Sequence, residues 1–518
     1  MEVLQYFQKA LISLGIVALI ALFWRLYNAL VIQPGKLRSI MRKQGITGPP
    51  PTLLFGNILE IKKAWSGTAN APPIFGVPNK HDCATTIFPF FQNWLKKYGD
   101  MFMLSMGNTQ VLVVTRQEIV KEMTTCTSPN FGKPSYQAKE HSAFLGDSIF
   151  TSNGTQWAHQ RKVIAPELFM DKVKGMTKLI QESAMTIVNS WNKVIEEKGG
   201  IADIKVDPYM RRMSGDVISK ACFGSSYNKG EDLFSKLTSL EEATSKKFLA
   251  IGIPGMRHLP TKSNRKAWAL AKEIKELILN VVKERTKAGY EKDLLQMVME
   301  TARNEEFIRS HEELDRFIVD NCKTIYFAGY ESTAISAAWC LMLLAANPEW
   351  QERVRSEVVD TCRGRVPDAE SIRTMKSLTM VINESLRLYP PATIMSREVF
   401  EDMKFGDIVI PKGVNVWAFV LTLHTDPEIW GNDSYEFNPQ RFADGVAKAC
   451  KYPQAYMPFG MGPRICLGQH LATVELKILI ALIILRFSFT LSPTYIHSPV
   501  LRYIIVPKHG VNLCFKKL

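Results

Sequence analysis

Residues Phe459 to Gly468 read Phe-Gly-Met-Gly-Pro-Arg-Ile-Cys-Leu-Gly, and the reading of this stretch decides the fold. Two glycines two apart, followed by Pro463, predict a tight loop just before a helix that starts near Gly468 and runs to about residue 486. Cys466 then sits at a helix N-terminus, where free backbone N–H groups and the positive end of the dipole favour thiolate over thiol. A thiolate held this way can ligate iron and push electron density toward bound oxygen. Gly460, Gly462 and Gly468 let backbone approach a flat macrocycle closely, and Arg464 can pair with a carboxylate on its rim. The bland alternative is a glycine-rich turn around a buried structural cysteine.

The other cysteines do not share this setting. Nine in all is an odd count, with no CxxC pair and no regular spacing. That argues against a disulfide framework or a zinc ribbon and for a reducing compartment. Cys222, Cys322, Cys340 and Cys362 fall in helical or apolar runs and read as small core residues.

Upstream, residues 316–346 form one long proline-free segment. At about 1.5 Å per residue, such a helix would cross a whole domain. Within it, Ala328-Gly329-Tyr330-Glu331-Ser332-Thr333 interrupts an apolar face. A mid-helix glycine costs roughly 0.5–1 kcal/mol against alanine, and a carboxylate in such a run is expensive unless solvated or paired. Two local rules broken together mark a place where function is expected; a solvated polar kink is the alternative. Apolar spacing predicts further helices near 173–199, 265–288, 349–360, 376–389 and 468–486. Strands are expected at 101–105 and 110–114, as a pair 403–410 and 414–419 around Pro411-Lys412-Gly413, and near 486–491 and 501–506. The fold class is therefore mainly α with small peripheral β-sheets.

With these residues in view, the chain resembles the cytochrome P-450 superfamily. Phe459–Gly468 matches its FxxGxRxCxG motif at every fixed position. The resemblance implies haem b held between the long helix and the cysteine-loop helix. Cys466 would be the iron ligand, with Phe459, Arg464 and Gly468 around the cofactor. Ala328–Thr333 is similar to the family's (A/G)Gx(D/E)T(T/S) motif, in which the glycine opens room above the iron. Glu331 and Ser332, supported by Thr333, would deliver protons. Ser332 departs from the usual threonine, losing a methyl and gaining freedom at χ1. Glu384-Ser-Leu-Arg387, then Leu388-Tyr389-Pro390-Pro391, and Phe437-Asn-Pro439-Gln-Arg441-Phe442 resemble the ExxR and PxRF elements. They imply a buried ion network of Glu384, Arg387 and Arg441 bracing the cysteine loop. Trp157 and Arg161 have the WxxxR spacing of the propionate helix, and Arg397 fits a second propionate contact.

The N-terminus is expected to be an anchor. Residues 10–24 are uncharged and almost wholly apolar, and after Arg25 the segment continues to residue 32. It spans a bilayer if Arg25 snorkels toward a headgroup. A cleaved signal peptide is the alternative, but no small-residue cleavage pattern follows. Lys36, Arg38, Arg42 and Lys43 place this flank in the cytosol, and Gly48-Pro49-Pro50-Pro51 reads as a stiff run holding the body off the membrane. The expected division is 1–34 membrane anchor, 35–51 basic linker and proline hinge, and 52–518 catalytic domain. A cytosolic body leaves the sequons at Asn153, Asn383 and Asn432 bare. The net charge of +14, from 64 basic and 50 acidic residues, is scattered rather than patched, which argues against nucleic acid.

The resemblance implies a monooxygenase of the endoplasmic reticulum membrane, single-pass, with its catalytic domain cytosolic. It would consume NADPH and O2, with electrons from an NADPH–cytochrome reductase, since no nucleotide-binding glycine fingerprint is present. Lys162, Lys451 and Arg464 would suit an acidic reductase surface. A reductase-independent haem-thiolate isomerase or dehydratase, and a haem sensor without turnover, are the competing classes. The stretches Lys43–Pro51, Pro260–Arg265 and Tyr326–Thr333 are similar to a plant branch that oxidises gibberellins or pentacyclic triterpenoids. Residues 56–63 lean toward the triterpenoid group, oxidised at C-23 of an oleanane skeleton; gibberellin hydroxylation or epoxidation is the alternative. Residues around 137–148, 324–333 and 392–396 are the expected walls of the terpenoid pocket.

Overall fold

The computed structural model describes residues 2–69, 74–224, 227–245, 251–253, 255–290, 293–304 and 310–518. The apolar N-terminal run forms helix α1 (Glu2–Tyr27), a π turn (Asn28–Ile32) and helix α2 (Gln33–Lys43). Together Gln5–Lys43 is long and apolar enough to cross a membrane, and none of its apolar window is buried against the body. The proline run is not a free spacer, contrary to the sequence expectation. Thr47 O accepts from Met103 N at 2.8 Å, and Arg38 Nη2 donates to Pro49 O at 2.7 Å. Gly48 lies so close that a Cβ there would stand 1.9 Å from Met103 O. Backbone hydrogen bonding to the sheet edge outweighs the stiffness of the prolines, and the segment is docked.

Four helices position the site: α3 (Gly154–Ile164), α4 (Asp207–Phe223), α5 (Tyr227–Ser245) and α6 (His311–Ala346). Ser310 caps α6 by accepting from Glu313 N at 3.2 Å, so the helix begins five residues before the apolar run that announced it. Asn347-Pro348 ends it. From Phe317 to Ala345 it is buried nearly all round, as the central helix of a large body must be. Helices α7 (Lys376–Leu388) and α8 (Gln469–Arg486) pack against it, as does α4. The helix expected at 173–199 is broken at Met176 into Met170–Gly175 and Thr177–Glu197.

The largest sheet has five strands in the order Met101–Met106, Thr109–Val114, Asn415–Phe419, Ile394–Val399 and Phe131–Gly132. One expected pairing is corrected here. Met403–Phe405 pairs with Ile408–Ile410 about Gly406-Asp407, where Gly406 has φ +54°. Asn415–Phe419 instead pairs antiparallel with Ile394–Val399 and parallel with Thr109–Val114. The positive-φ glycine supplies the tight two-residue turn, which the sequence reading had assigned to Pro411-Lys412-Gly413. Near the C-terminus, Phe487–Leu491, Asn512–Lys517 and Ile201–Lys205 form a second sheet. Pro499–Leu501 and Ile505–Pro507 form a hairpin whose tip is Arg502-Tyr503-Ile504.

Candidate functional site

Gly468 is the N-cap residue of α8. The loop before it closes through Cys466 N donating to Phe459 O at 2.8 Å, and Gly460 N donating to Met457 O at 2.9 Å. Gly460 and Gly462 both need positive φ, +71° and +68°. A Cβ on Gly462 would stand 2.0 Å from Thr124 O. It therefore also makes a close approach to the end of helix Gln117–Thr125. Gly468 has no such neighbour.

Cys466 is the one exposed cysteine of the nine, while Cys222, Cys322, Cys340 and Cys362 are buried. The protein atoms crowded around its sulfur nevertheless desolvate it, which pushes the thiol above its ordinary range. Gly468 N–H and the Arg161 charge pull the other way without prevailing. Desolvation and the helix terminus thus act on this sulfur in opposite directions, and a bound metal ion would favour the thiolate.

Four cations gather beside the loop. On α3, Arg161 Nη1 donates to Ile465 O at 3.0 Å. The Arg464 guanidinium lies 4.1 Å over the Trp157 ring and donates to Ser152 O at 2.9 Å and Asn153 Oδ1 at 2.8 Å. It therefore turns inward rather than toward a partner surface, as had been expected in part; Lys162 and Lys451 are exposed. Arg397 is buried on strand Ile394–Val399, and Lys133 lies over the Phe150 ring. Burial, and then Arg397 and Arg161, push the Arg464 guanidinium down to about 9. Burial lowers Arg397 to about 10; Lys133 is lowered by burial and by Arg397 and Arg464. Among the described residues no carboxylate forms an ion pair with any of the four. Such a cluster suits a ligand bearing two carboxylates on one edge, so the donor set fits haem with Cys466 beneath it.

Between Phe317 and Ala345, helix α6 opens at one place: Ala328 is exposed, and Phe327, Gly329 and Ser332 are half-exposed. Ser332 Oγ donates back to Ala328 O at 2.6 Å. Glu331 does not share this opening. It is 1% exposed and grips Arg211 of α4, with Nη2 to Oε1 at 2.7 Å and Nε to Oε2 at 2.9 Å. Thr333 is buried. Gly329 also serves the packing of the helices. A Cβ there would stand 2.5 Å from Ile218 Cδ1, and Ser214 Oγ donates to Gly329 O at 2.8 Å. This glycine lets α4 approach α6, and Ala328 faces the free space. Phe144 meets Phe327 edge-on at 4.6 Å and stacks on Tyr503 at 4.6 Å, while Tyr503 OH meets His141 Nδ1 at 2.8 Å. The expected wall segments 137–148 and 324–333 thus come together, with the hairpin tip as an unforeseen third.

The ion network forms as expected and extends further. Glu384 accepts from Arg387 Nε at 2.6 Å and Nη2 at 2.8 Å, and from Arg441 Nε at 3.1 Å. Arg441 Nη2 also meets Asp433 Oδ2 at 2.8 Å. Buried His424 meets Arg387 O at 3.1 Å through Nδ1, and its Nε2 accepts from Met457 N at 2.9 Å. Burial, then the Arg387 charge, hold its pKa down at about 3, so the neutral ring bridges the network to the cysteine loop. Sequence reasoning missed Lys133, Arg211, His424 and Asp433, and read Asn153 only as a sequon. Arg211 lies 120 residues from Glu331, and no local spacing signals it. For His424, a polar residue directly after the largely apolar run 416–423 was an available sign.

A family model described as Cytochrome P450 matches residues 67–515. The chain is 47% identical over 513 residues to "Cytochrome P450 714C2" of Oryza sativa subsp. japonica, covering 97% of each. It is 44% identical to "Cytochrome P450 714B3" of Zea mays, covering 98% of this chain and 96% of the other. It is 42% identical to "Cytochrome P450 714A2" of Arabidopsis thaliana, covering 97% of each.

Proposed function

The chain belongs to the cytochrome P450 family, and from that premise we propose that it hydroxylates a plant polycyclic terpenoid, with C-23 of an oleanane-type pentacyclic triterpenoid as the target. Members of this family use haem b with electrons from NADPH through a reductase. When bound, the haem supplies the activation of O2, one atom of which enters the substrate C–H bond while the other leaves as water. The overall balance is RH + O2 + NADPH + H+ to ROH + H2O + NADP+.

The observation that carries this reading is the cluster of Lys133, Arg161, Arg397 and Arg464 without carboxylate partners, gathered beside an exposed Cys466. Cys466 would be the sulfur ligand. Arg161, Arg397 and Arg464, with Lys133, would hold the two propionates, and Trp157 would fix the plane of Arg464. Phe459 and Gly468 set the loop that presents the sulfur. Glu384, Arg387 and Arg441 brace that loop through His424. Ser332 faces the free space and holds a proton at Oγ; Glu331 supplies it from behind, with Thr333 beside it. The aromatic wall of Phe144, Phe327 and Tyr503 excludes water and suits a broad, rigid apolar skeleton. Residues 1–34, chiefly helix α1, would anchor the protein in the endoplasmic reticulum membrane, with 35–51 as the basic linker and residues 52–518 as the cytosolic catalytic domain.

The test is a feeding assay in microsomes carrying this protein and a plant reductase. A β-amyrin-type acid and a gibberellin are supplied in parallel, with and without NADPH. A hydroxylated triterpenoid formed only with NADPH is the expected result, and Cys466→Ala abolishes it together with the thiolate-type ferrous–CO spectrum. An oxidised gibberellin instead would move the substrate to the diterpenoid hormones. Product without reductase would point to an isomerase or dehydratase.

A further inference from the structure

Behind Glu331 lies a second acid that the reading above leaves without a task. Glu241 of α5 is 0% exposed; among the described residues its carboxyl oxygens have no side-chain hydrogen-bond partner, and the backbone N–H of Tyr503 faces it. A buried carboxylate in that state carries a heavy desolvation penalty. The charged groups that act on it come from three neighbours: Glu331 from α6, Arg211 from α4, and Arg502 from the C-terminal hairpin. Arg502 Nη1 stands 3.7 Å from Glu241 Oε2 and 3.2 Å from Glu242 Oε1. Its side chain is 30% exposed and that of Glu242 51%. On the remaining side, Ser263 Oγ donates to Ala243 O at 2.6 Å. Arg502 thus reaches from solvent to a buried acid whose other neighbours are the Glu331–Arg211 pair.

We propose that Glu241 is a positioning acid for the monooxygenase reaction: it stores a proton taken up at the Arg502–Glu242 surface and passes it to Glu331. The inference rests on the functional reading of Glu331 above. Burial and the Glu331 charge raise the Glu241 carboxyl to about 7, so near neutrality it is poised between the two forms. In the transfer, the Glu241 O–H bond breaks and a Glu331 O–H bond forms. The negative charge moves to Glu241, where Arg502 and Arg211 receive it. Arg211 then no longer holds a charged Glu331, which frees that residue to turn toward Ser332. Solvent water restores the Glu241 proton, so no charge accumulates over a turnover.

Two readouts test this on the full-length, haem-loaded protein in lipid nanodiscs. Infrared difference spectra should show a protonated-carboxyl band that titrates near pH 7. The band should be lost in Glu241→Gln and kept in Glu475→Gln. In Arg502→Gln its midpoint should move to higher pH, because a charge stabilising the carboxylate is gone. With NADPH and reductase, Glu241→Gln should lower the product formed per NADPH consumed by about three- to tenfold, a modest share of general-acid catalysis. Its solvent isotope effect should rise, and Glu241→Asp should recover part of the loss. Absence of the band, or an unmoved midpoint in Arg502→Gln, overturns the inference even if Glu241→Gln fails to bind haem. If Glu331→Gln uncouples the reaction and Glu241→Gln does not, only Glu241 is excluded. If Glu331→Gln also leaves coupling unchanged, the underlying assignment of Glu331 fails as well.

Discussion

The carboxylate of Glu331 lies against the guanidinium of Arg211 with two parallel contacts, Nη2 to Oε1 at 2.7 Å and Nε to Oε2 at 2.9 Å. The pair joins α6 to α4 at the turn where Ala328 opens to free space and Gly329 allows the helices to meet. A carboxylate in the middle of the central helix is tolerable because this fork satisfies it. The same contact holds Glu331 away from Ser332.

Removing Arg211 should therefore expose the cost of the buried acid. Breaking a buried pair costs about 3–5 kcal/mol, and the 23% exposure of the Arg211 side chain puts Arg211→Ala near about 3 kcal/mol. The double variant Arg211→Ala with Glu331→Gln should regain most of that loss. Denaturant midpoints of the haem-loaded proteins measure both. Equal stability of the single and double variants would mean that the pair does not hold the helices.

The cation cluster makes a prediction of opposite signs. Without a dianion, Lys133, Arg161, Arg397 and Arg464 repel one another, so Arg397→Gln should stabilise the haem-free protein. With haem bound, the same change removes a charge-assisted contact worth roughly 1.5–3 kcal/mol. Haem transfer to an acceptor protein should then be about tenfold faster or more. Parallel melting of both forms and a transfer rate decide it; destabilisation of both forms would refute the cluster as a propionate site.

Much of this was readable in the chain because the signals were local. The loop Phe459–Gly468 and the pair Glu384/Arg387 carry their geometry in their spacing, and the structure assembles them as expected. Roles that depend on what lies opposite were not readable. That Gly329 also lets Ile218 approach, from more than a hundred positions earlier, has no local sign. The approach of Gly462 to Thr124 is likewise set by the fold. The burial that opposes the helix terminus at Cys466 is set by the whole fold and not by α8 alone. Lys133, just past strand Phe131–Gly132, and Arg397, on the paired strand Ile394–Val399, lie far apart in sequence, and only the tertiary fold shows their charges converging.

Glu475 on α8 ties stability to pH. It is 2% exposed, its Oε1 has no partner, and burial raises its carboxyl from 4.5 to about 8, with Ser214 opposing. Between those values the folded state binds more protons than the unfolded one, so this residue makes stability fall as pH rises. Its contribution is fully present below 4.5 and is lost as pH passes about 8. Glu475→Gln should therefore leave stability nearly unchanged in acid and raise it by a few kcal/mol above about pH 8. Thermal midpoints across that range measure it, and a gain independent of pH would show that Glu475 is not protonated in the fold.

Gly460 and Gly462 share a left-handed backbone but not their surroundings, and that difference makes the loop testable. For Gly460, a Cβ would meet only Arg464 O at 3.8 Å, so Gly460→Ala should cost only the left-handed strain, about 1–2 kcal/mol. For Gly462, a Cβ would stand 2.0 Å from Thr124 O, and backbone cannot yield as a side-chain tip can. Gly462→Ala must push the loop off helix Gln117–Thr125 and carry Cys466, four residues on, out of register with Arg161. Haem content of the purified variants, read by absorbance, should then stay near wild type in Gly460→Ala and fall severalfold in Gly462→Ala. Equal haem content in the two would mean that contact with Thr124 does not position the cysteine loop.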